Sequence, residues 1–430
     1  MEGLHALLIQ AGYIAAMRGG RRIIVTLGVI AVATGSACSS PPAPAPPSAA
    51  SSANPPKPAS LDTGAYPTAP RLPLGAAGSL DTGRLIEGRR MAAFVVGPWQ
   101  VEPRLTRPAS TAAEVITDRR GIGTSVIYPE MTTRSSLDPI VVGFTCERNA
   151  ADPADPTSLR NAVVRAADAD SATAIARGLV DGALNIPPAL LKTASMIPSE
   201  PIRQVPIPAH PEATGILLVH QVGEQQVEEV IAISAHGPYV LIQVARSPQG
   251  AEQAAGLAGR TLDQQIPLID SFTPTEVAGF TGLLQDPTGL LARTLPLKPG
   301  QGTTMSDATY DRTAALQLED DPVTARPLLD TAGVDVVSTS QATVYRTADS
   351  SAALRLSSAL ADAAAARPGS QKAAAVPGLE LSRCVTLDAT GLVPKAWCTV
   401  ALKQFVFKTT ARQLVNAQQQ LAAQYLMLSG

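Results

Sequence analysis

One pattern occurs twice in this chain and limits its possible folds more than any other feature. Residues 163–181 read VVRAADADSATAIARGLVD, and residues 344–362 read VYRTADSSAALRLSSALAD. Aligned without gaps, they share Val163/Val344, Arg165/Arg346, Ala167/Ala348, Asp168/Asp349, Ala172/Ala353, Leu179/Leu360 and Asp181/Asp362. Each copy opens on β-branched residues, passes through an Asp, and continues as an Ala/Leu-rich stretch. An Asp at that place accepts from the unpaired N–H groups of a helix's first turn. The pattern therefore predicts a short strand, a capped helix, and a duplication of the unit that holds them.

A second strand-to-helix unit follows each copy. In the first half, Val230–Ala235 and Tyr239–Ala245 predict a hairpin through His236, Gly237 and Pro238. A helix with Ala254, Leu257, Ala258, Leu262 and Ile266 on one face comes next. In the second half, Leu379–Leu387 and Cys398–Phe407 predict the analogous strands. The last helix carries Leu414, Val415, Leu421, Ala422, Tyr425 and Leu426, with an uncharged Gln- and Asn-rich opposite face. Upstream, Gly83–Val96 reads as a helix with Leu85, Ile86, Ala92, Ala93 and Val96 turned inward and a Glu87–Arg90 pair on the solvent side. The fold class expected is α+β: two tandem, related halves, each a small antiparallel sheet with helices packed on one face. The boundaries that follow are 61–293 for the first domain, 294–327 for a Pro-, Gly-, Thr- and Asp-rich linker, and 328–430 for the second domain.

The stretch before Leu61 has a different character. Arg18, Arg21 and Arg22 precede an apolar run over 23–34, and Gly35-Ser36-Ala37 supplies small residues for cleavage. The run is short for a bilayer span, which takes about 20 apolar residues. Residues 1–37 therefore read as an export signal, with Met17 as an alternative start. Cys38 directly follows the cleavage point, as in a lipoprotein signal, although Gly35 stands where such signals usually carry an aliphatic residue; the alternative is a plain secretory signal cut after Ala37. From Cys38 to Ser60, every residue except Cys38, Asn54 and Lys57 is Pro, Ala or Ser. Such a segment favours extended states and reaches on the order of 70 Å at about 3.1 Å per residue, as a tether requires. Loss of the signal removes three arginines and one glutamate and takes the formal charge from −2 to −4. That balance, with 3% aromatic residues, argues against a nucleic-acid partner.

The chain has four cysteines. Cys384 and Cys398 fall on adjacent predicted strands, and export favours their pairing. Closing the short loop between them is worth about 3 kcal/mol in the chain-entropy model. No His or second Cys pair lies nearby to make a metal site. With Cys38 lipidated, Cys146 remains as a buried thiol on the apolar strand Val141–Cys146, with an intermolecular disulfide or a reactive thiol as the alternative.

Motifs of chemistry are sparse. Asp-Thr-Gly occurs at Asp62–Gly64 and again at Asp81–Gly83, close together in Pro/Gly-rich sequence. That placement suits a turn and a helix entry better than a shared-proton carboxylate pair. Arg119–Thr124 contains Gly-x-Gly without the rest of a phosphate loop. His210, His220 and His236 do not fall at metal-ligand spacing. From Arg71 to Arg134 there are nine Arg and six acidic residues, which reads as a solvated face with local ion pairs.

The segments LDTGAYPTAPR from Leu61, GRLIEGRRMAAFVVGPWQVEP from Gly83 and NAQQQLAAQYLML near the C-terminus resemble a family of uncharacterised mycobacterial and related actinobacterial envelope lipoproteins. The likeness runs from about Leu61 to the C-terminus. It implies a cell-envelope location and supplies no catalytic residues. The paired strand–helix halves are also similar in pattern to extracellular sensor-like domains of mycobacterial proteins.

The function expected is that of a non-enzymatic, lipid-anchored protein on the outer face of the cell membrane, without cofactor or metal. It would bind an apolar ligand or an envelope protein in a cleft between its halves, with Trp99 as a candidate lining residue. The alternative is an envelope hydrolase assembled in space, with His236 and Ser234 as first candidates. The anchor is tested by fractionation: Cys38→Ala is expected to move the protein from the membrane fraction to the medium, and retention in the membrane would count against lipidation.

Overall fold

The computed structural model describes residues 61–133, 140–191, 196–222, 224–387 and 395–430. The export signal, Cys38 and the tether lie outside the described residues.

The first half contains α1 (Leu80–Met91), α2 (Pro98–Val101), β1 (Arg107–Ile116), α3 (Arg119–Ser125), β2 (Ile140–Asn149) and β3 (Ser158–Ala166). It continues with α4 (Ala169–Leu184), α5 (Pro188–Leu191), β4 (Arg203–Pro206), β5 (Thr214–Val222), β6 (Gln225–His236), β7 (Tyr239–Arg246) and α6 (Ala251–Asp270). The second half contains β8 (Ala308–Asp311), α7 (Arg312–Ala315), α8 (Pro322–Thr331), β9 (Val336–Thr339), β10 (Ala342–Arg346) and α9 (Ser350–Ala365). It ends with β11 (Ser370–Ala373), β12 (Arg383–Leu387), β13 (Lys395–Leu402), β14 (Phe405–Ala411) and α10 (Leu414–Ser429).

Both halves are α+β, and both have one topology. The first sheet has the strand order β1-β2-β3-β7-β6-β5-β4, and the second, read from its opposite end, is β8-β9-β10-β14-β13-β12-β11. Neighbouring strands are antiparallel throughout. In each half three strands run as a meander, a helix follows, four more strands return to pair with the third, and a helix closes the unit. The sequence repeat is the third strand and its helix: β3 with α4, and β10 with α9. The Asp168 carboxylate accepts from Ser171 N–H at 2.7 Å, and the Asp349 carboxylate accepts from Ala352 N–H at 2.8 Å.

The helices cover both faces of each sheet rather than one. On one face of the first sheet, α4 packs with Ile216, Leu218, Ile231, Ile233 and Ile242. On the other, α6 packs with Leu217, Val219, Val230, Ala232 and Leu241. In the second sheet α9 shares a core with Val385, Trp397 and Val406, while α10 packs with Val344, Cys398, Val400 and Phe407. This is why β3 and β7 are buried almost continuously instead of alternating.

Other expectations are corrected by packing. The hairpin equivalent to β6–β7 is β13–β14, because the run Cys398–Phe407 turns at Lys403, which has φ 52°. The segment 294–327 is no bare linker, since it supplies β8, α7 and the start of α8. The boundary at 61–293 also departs from the contacts. Leu61 and Leu290 pack in the core of α10. Tyr66 accepts from Gln420 at 2.9 Å, and Arg71 donates to the carbonyls of Ala292 and Leu291. On α1 the wholly buried positions are Gly83, Glu87, Gly88 and Met91, because the glycines let the helix approach Phe280 and Val115 closely. Glu87 does pair with Arg90, but its carboxylate is fully buried and also accepts from Thr275. On the Gln-rich face of α10, Gln420 and Gln424 are buried. Gln424 accepts from Leu295 N–H at 2.7 Å and donates to Arg293 C=O at 2.8 Å.

Close approach makes one stability prediction. A Cβ on Gly182 of α4 would lie 2.1 Å from the Met131 carbonyl oxygen, whereas one on Gly75 meets nothing within 4 Å. Gly182→Ala is expected to destabilise the chain by about 1–3 kcal/mol, and Gly75→Ala by less than about 0.5 kcal/mol. Denaturant titration of the two variants checks the contrast.

Candidate binding groove

A cavity of about 620 Å³ lies where the two halves meet. One wall is α1, through Ile86, Arg89 and Arg90. A second is the extended segment Leu283–Gln285 with Pro287. The third is β8 with Ala314 of α7, and Phe94 closes the space. Ile86, expected in the core, is instead a half-buried groove residue, because Gly83 and Gly88 take the inward face of α1.

The charged groups of the groove are held by local structure. Arg89 donates to the carbonyls of Thr304 (2.8 Å), Ser306 (2.7 Å) and Asp307 (3.3 Å), and burial lowers its pKa. Arg90 donates to Thr275 Oγ1 at 2.7 Å, pairs with Glu87, and lies 5.7 Å from the centre of the Phe272 ring. Tyr310 donates to Met305 C=O at 2.6 Å, and burial raises its pKa. The Asp311 carboxylate caps α7 by accepting from Ala314 N–H at 2.8 Å. These bonds fix the polar groups while the apolar side chains line the space, an arrangement suited to holding a ligand.

The other singled-out residues sit elsewhere. Trp99 does not line the groove. It is buried, with the Arg148 guanidinium 5.4 Å from its ring centre. Cys146 is fully buried in β2, and burial pushes its thiol up to about 12. Cys384 and Cys398 are paired partners across β12 and β13 and form a disulfide. His236 Nε2 meets Asp270 at 2.7 Å, and among the described residues no hydrogen bond joins it to Ser234. Asp62–Gly64 forms a turn with Gly64 at φ 53°, and Asp81–Gly83 lies in the first turn of α1, just behind the Ser79 cap. Within the 71–134 stretch Arg84 pairs with Asp81 and Arg104 with Glu102, while Arg71 pairs with the distant Asp307 and Arg104 also with Asp155. Among the described residues no three His, Cys, Asp or Glu side chains gather as a metal site.

Sequence reasoning missed β8 and Leu283–Pro287 as groove residues. A strand as short as β8, beside Gly- and Pro-rich sequence, carries too few positions to show a period of two. It also missed a smaller cavity of about 190 Å³, where Trp397 and Lys408 meet Glu319 and Asp320. There Tyr345 donates to Glu319 at 2.5 Å, and Lys408 pairs with the same carboxylate at 2.8 Å.

Family models match both halves of this architecture. A domain of unknown function, DUF7373, matches with its N-terminal part at residues 74–284 and its C-terminal part at residues 290–430. The chain belongs to the DUF7373 family. The junction of the two DUF7373 parts falls at the groove wall, between Leu284 and Leu290. Comparison with curated proteins finds no match. Among solved structures, the extracellular domain of PknH from Mycobacterium tuberculosis is similar at 16% identity, with a TM-score of 0.27, over 41% of this chain and 95% of that one.

His210 generates a pH prediction. Its ring is mostly buried, with Nδ1 2.8 Å from Glu212 and Nε2 3.0 Å from Asp263. Burial alone would lower its pKa, but the two carboxylates outweigh it and raise the value above 6.5. A raised folded-state pKa stabilises below the unfolded value near 6.5, and that stability is lost as pH rises through the folded value. The advantage of the native chain over His210→Asn is therefore expected to be larger at pH 5.5 than at pH 8.5. Equal differences in unfolding free energy at the two pH values would contradict the assignment.

Proposed function

We propose that this DUF7373 protein is an exported, lipid-anchored protein of the outer face of the cell membrane. In this reading it binds a ligand or an envelope protein and performs no catalysis. The observation that carries the reading is the groove of about 620 Å³, walled by both halves, where apolar side chains such as Ile86, Phe94 and Pro287 stand beside the charged side chains of Arg89, Arg90 and Asp311, which are already bonded within the protein. Its size is that of pockets that enclose small molecules or anchor side chains. The export signal, the Cys38 position and the 38–60 tether support the location. Among the described residues no helix is long and apolar enough to cross a membrane, and an N-terminal lipid supplies attachment without a span.

A photo-crosslinking residue at Leu284, which is 55% exposed within the groove, tests the reading in cells. It is expected to capture an adduct that disappears when Thr309→Trp fills the cavity. The same residue at Leu354, on α9 and 51% exposed, serves as the control outside the groove. An adduct that survives Thr309→Trp, or equal capture at Leu354, would contradict binding in the groove.

A further inference from the structure

The groove is bounded by two stretches of extended backbone, each already paired on its far side. β8 is the end strand of its sheet and pairs with β9. In an antiparallel pair, alternate residues turn both N–H and C=O away from the partner strand, so β8 presents an open edge. Across the groove, Leu284 forms an isolated antiparallel bridge with Ala76. Its two bonds run from Ala77 N–H to Leu283 C=O at 2.7 Å and from Gln285 N–H to Gly75 C=O at 3.1 Å. That pattern turns the N–H and C=O of Leu284 itself away from Ala76. Among the described residues neither has a hydrogen-bond partner. Leu283–Gln285 and Ala308–Asp311 line the same cavity.

We propose that the groove is a slot for strand addition. An extended segment of a partner protein, apolar at alternate positions, pairs its backbone with β8 and Leu284. This inference rests on the binding reading above and names its occupant. Main-chain bonds would supply affinity, and the apolar walls (Ile86, Phe94, Pro287 and Ala314) would select one face of the incoming strand. An acyl chain fills volume but leaves the backbone groups unpaired. The chain's own 38–60 segment carries eight prolines, each without an N–H, and suits the slot poorly.

The probe is the capped peptide KTVTVTVK, added to the full chain at millimolar concentration and read by amide hydrogen exchange. The unpaired Leu284 amide is expected to slow at least tenfold, together with an amide of β8. The same peptide N-methylated at its valines is expected to give no slowing. Leu284→Pro removes the outward N–H, and Leu283, at φ −60° and ψ 132°, already suits a residue before proline. That variant is expected to weaken peptide binding roughly fivefold, about one net hydrogen bond. No slowing with KTVTVTVK, or equal slowing with the N-methylated peptide, would overturn strand addition. Oleate, tried in parallel, separates the two readings: groove protection by oleate without protection by the peptide overturns strand addition and leaves ligand binding standing.

Discussion

Arg148 reaches from β2 across the junction of the halves and donates to the Gln317 carbonyl at 2.7 Å, with 1% of the residue exposed. Its guanidinium lies over the Trp99 ring. Gln317 returns the contact, donating from its amide to the carbonyls of Val95 (2.8 Å) and Ala92 (3.3 Å). Taking a cation out of water without a paired carboxylate is costly, and burial lowers the Arg148 pKa accordingly. The surrounding core offsets that cost. Met91, Val95, Trp99, Phe144 and Leu159 of the first half join Tyr310, Ala314, Leu316 and Tyr345 of the second in one apolar cluster. Non-directional burial brings the halves together, and the Arg148–Gln317 exchange fixes how they meet.

The groove follows from this junction. Two related sheets fused through one core meet over part of their surfaces, and the space left beside α1 becomes a cavity. Its walls come from both halves, so neither half alone contains the site. The strap from Leu61 to Gly78 adds a second tie. It begins on α10, passes Leu291 and Ala292, and ends against Leu283–Gln285 at the groove wall. Leu61 is thereby connected along one stretch of chain to the groove wall.

Parts of this were readable from residues alone because they depend on local chemistry. Asp168 and Asp349 marked two helix starts, since a carboxylate at that place has one evident use. The repeated strand–helix segment indicated duplicated halves, and the identical order of two seven-stranded sheets gives that duplication its full extent. Cys384 and Cys398 on adjacent strands required only a hairpin. What was illegible depends on distant partners. Gln420 and Gln424 stood out only as part of an uncharged, Gln-rich face and are buried because Tyr66, Leu295 and Arg293 meet them. Glu87 looked exposed and is buried because Thr275 supplies its N–H. The strands β4, β8 and β11 are too short for a period to show, so both sheets were expected to be smaller than they are.

The central claim is that the shared core makes the two halves one cooperative unit around the groove. The chain has two tryptophans, and they fall one in each half: Trp99 beside Arg148 and Trp397 on β13, both buried. Urea unfolding of Trp397→Phe, followed by Trp99 fluorescence, and of Trp99→Phe, followed by Trp397 fluorescence, each compared with far-UV circular dichroism of the same sample, is the direct test. The account predicts that fluorescence and dichroism transitions coincide in both variants. A fluorescence transition that precedes or follows the dichroism transition, with one half unfolding while the other stays intact, would contradict it.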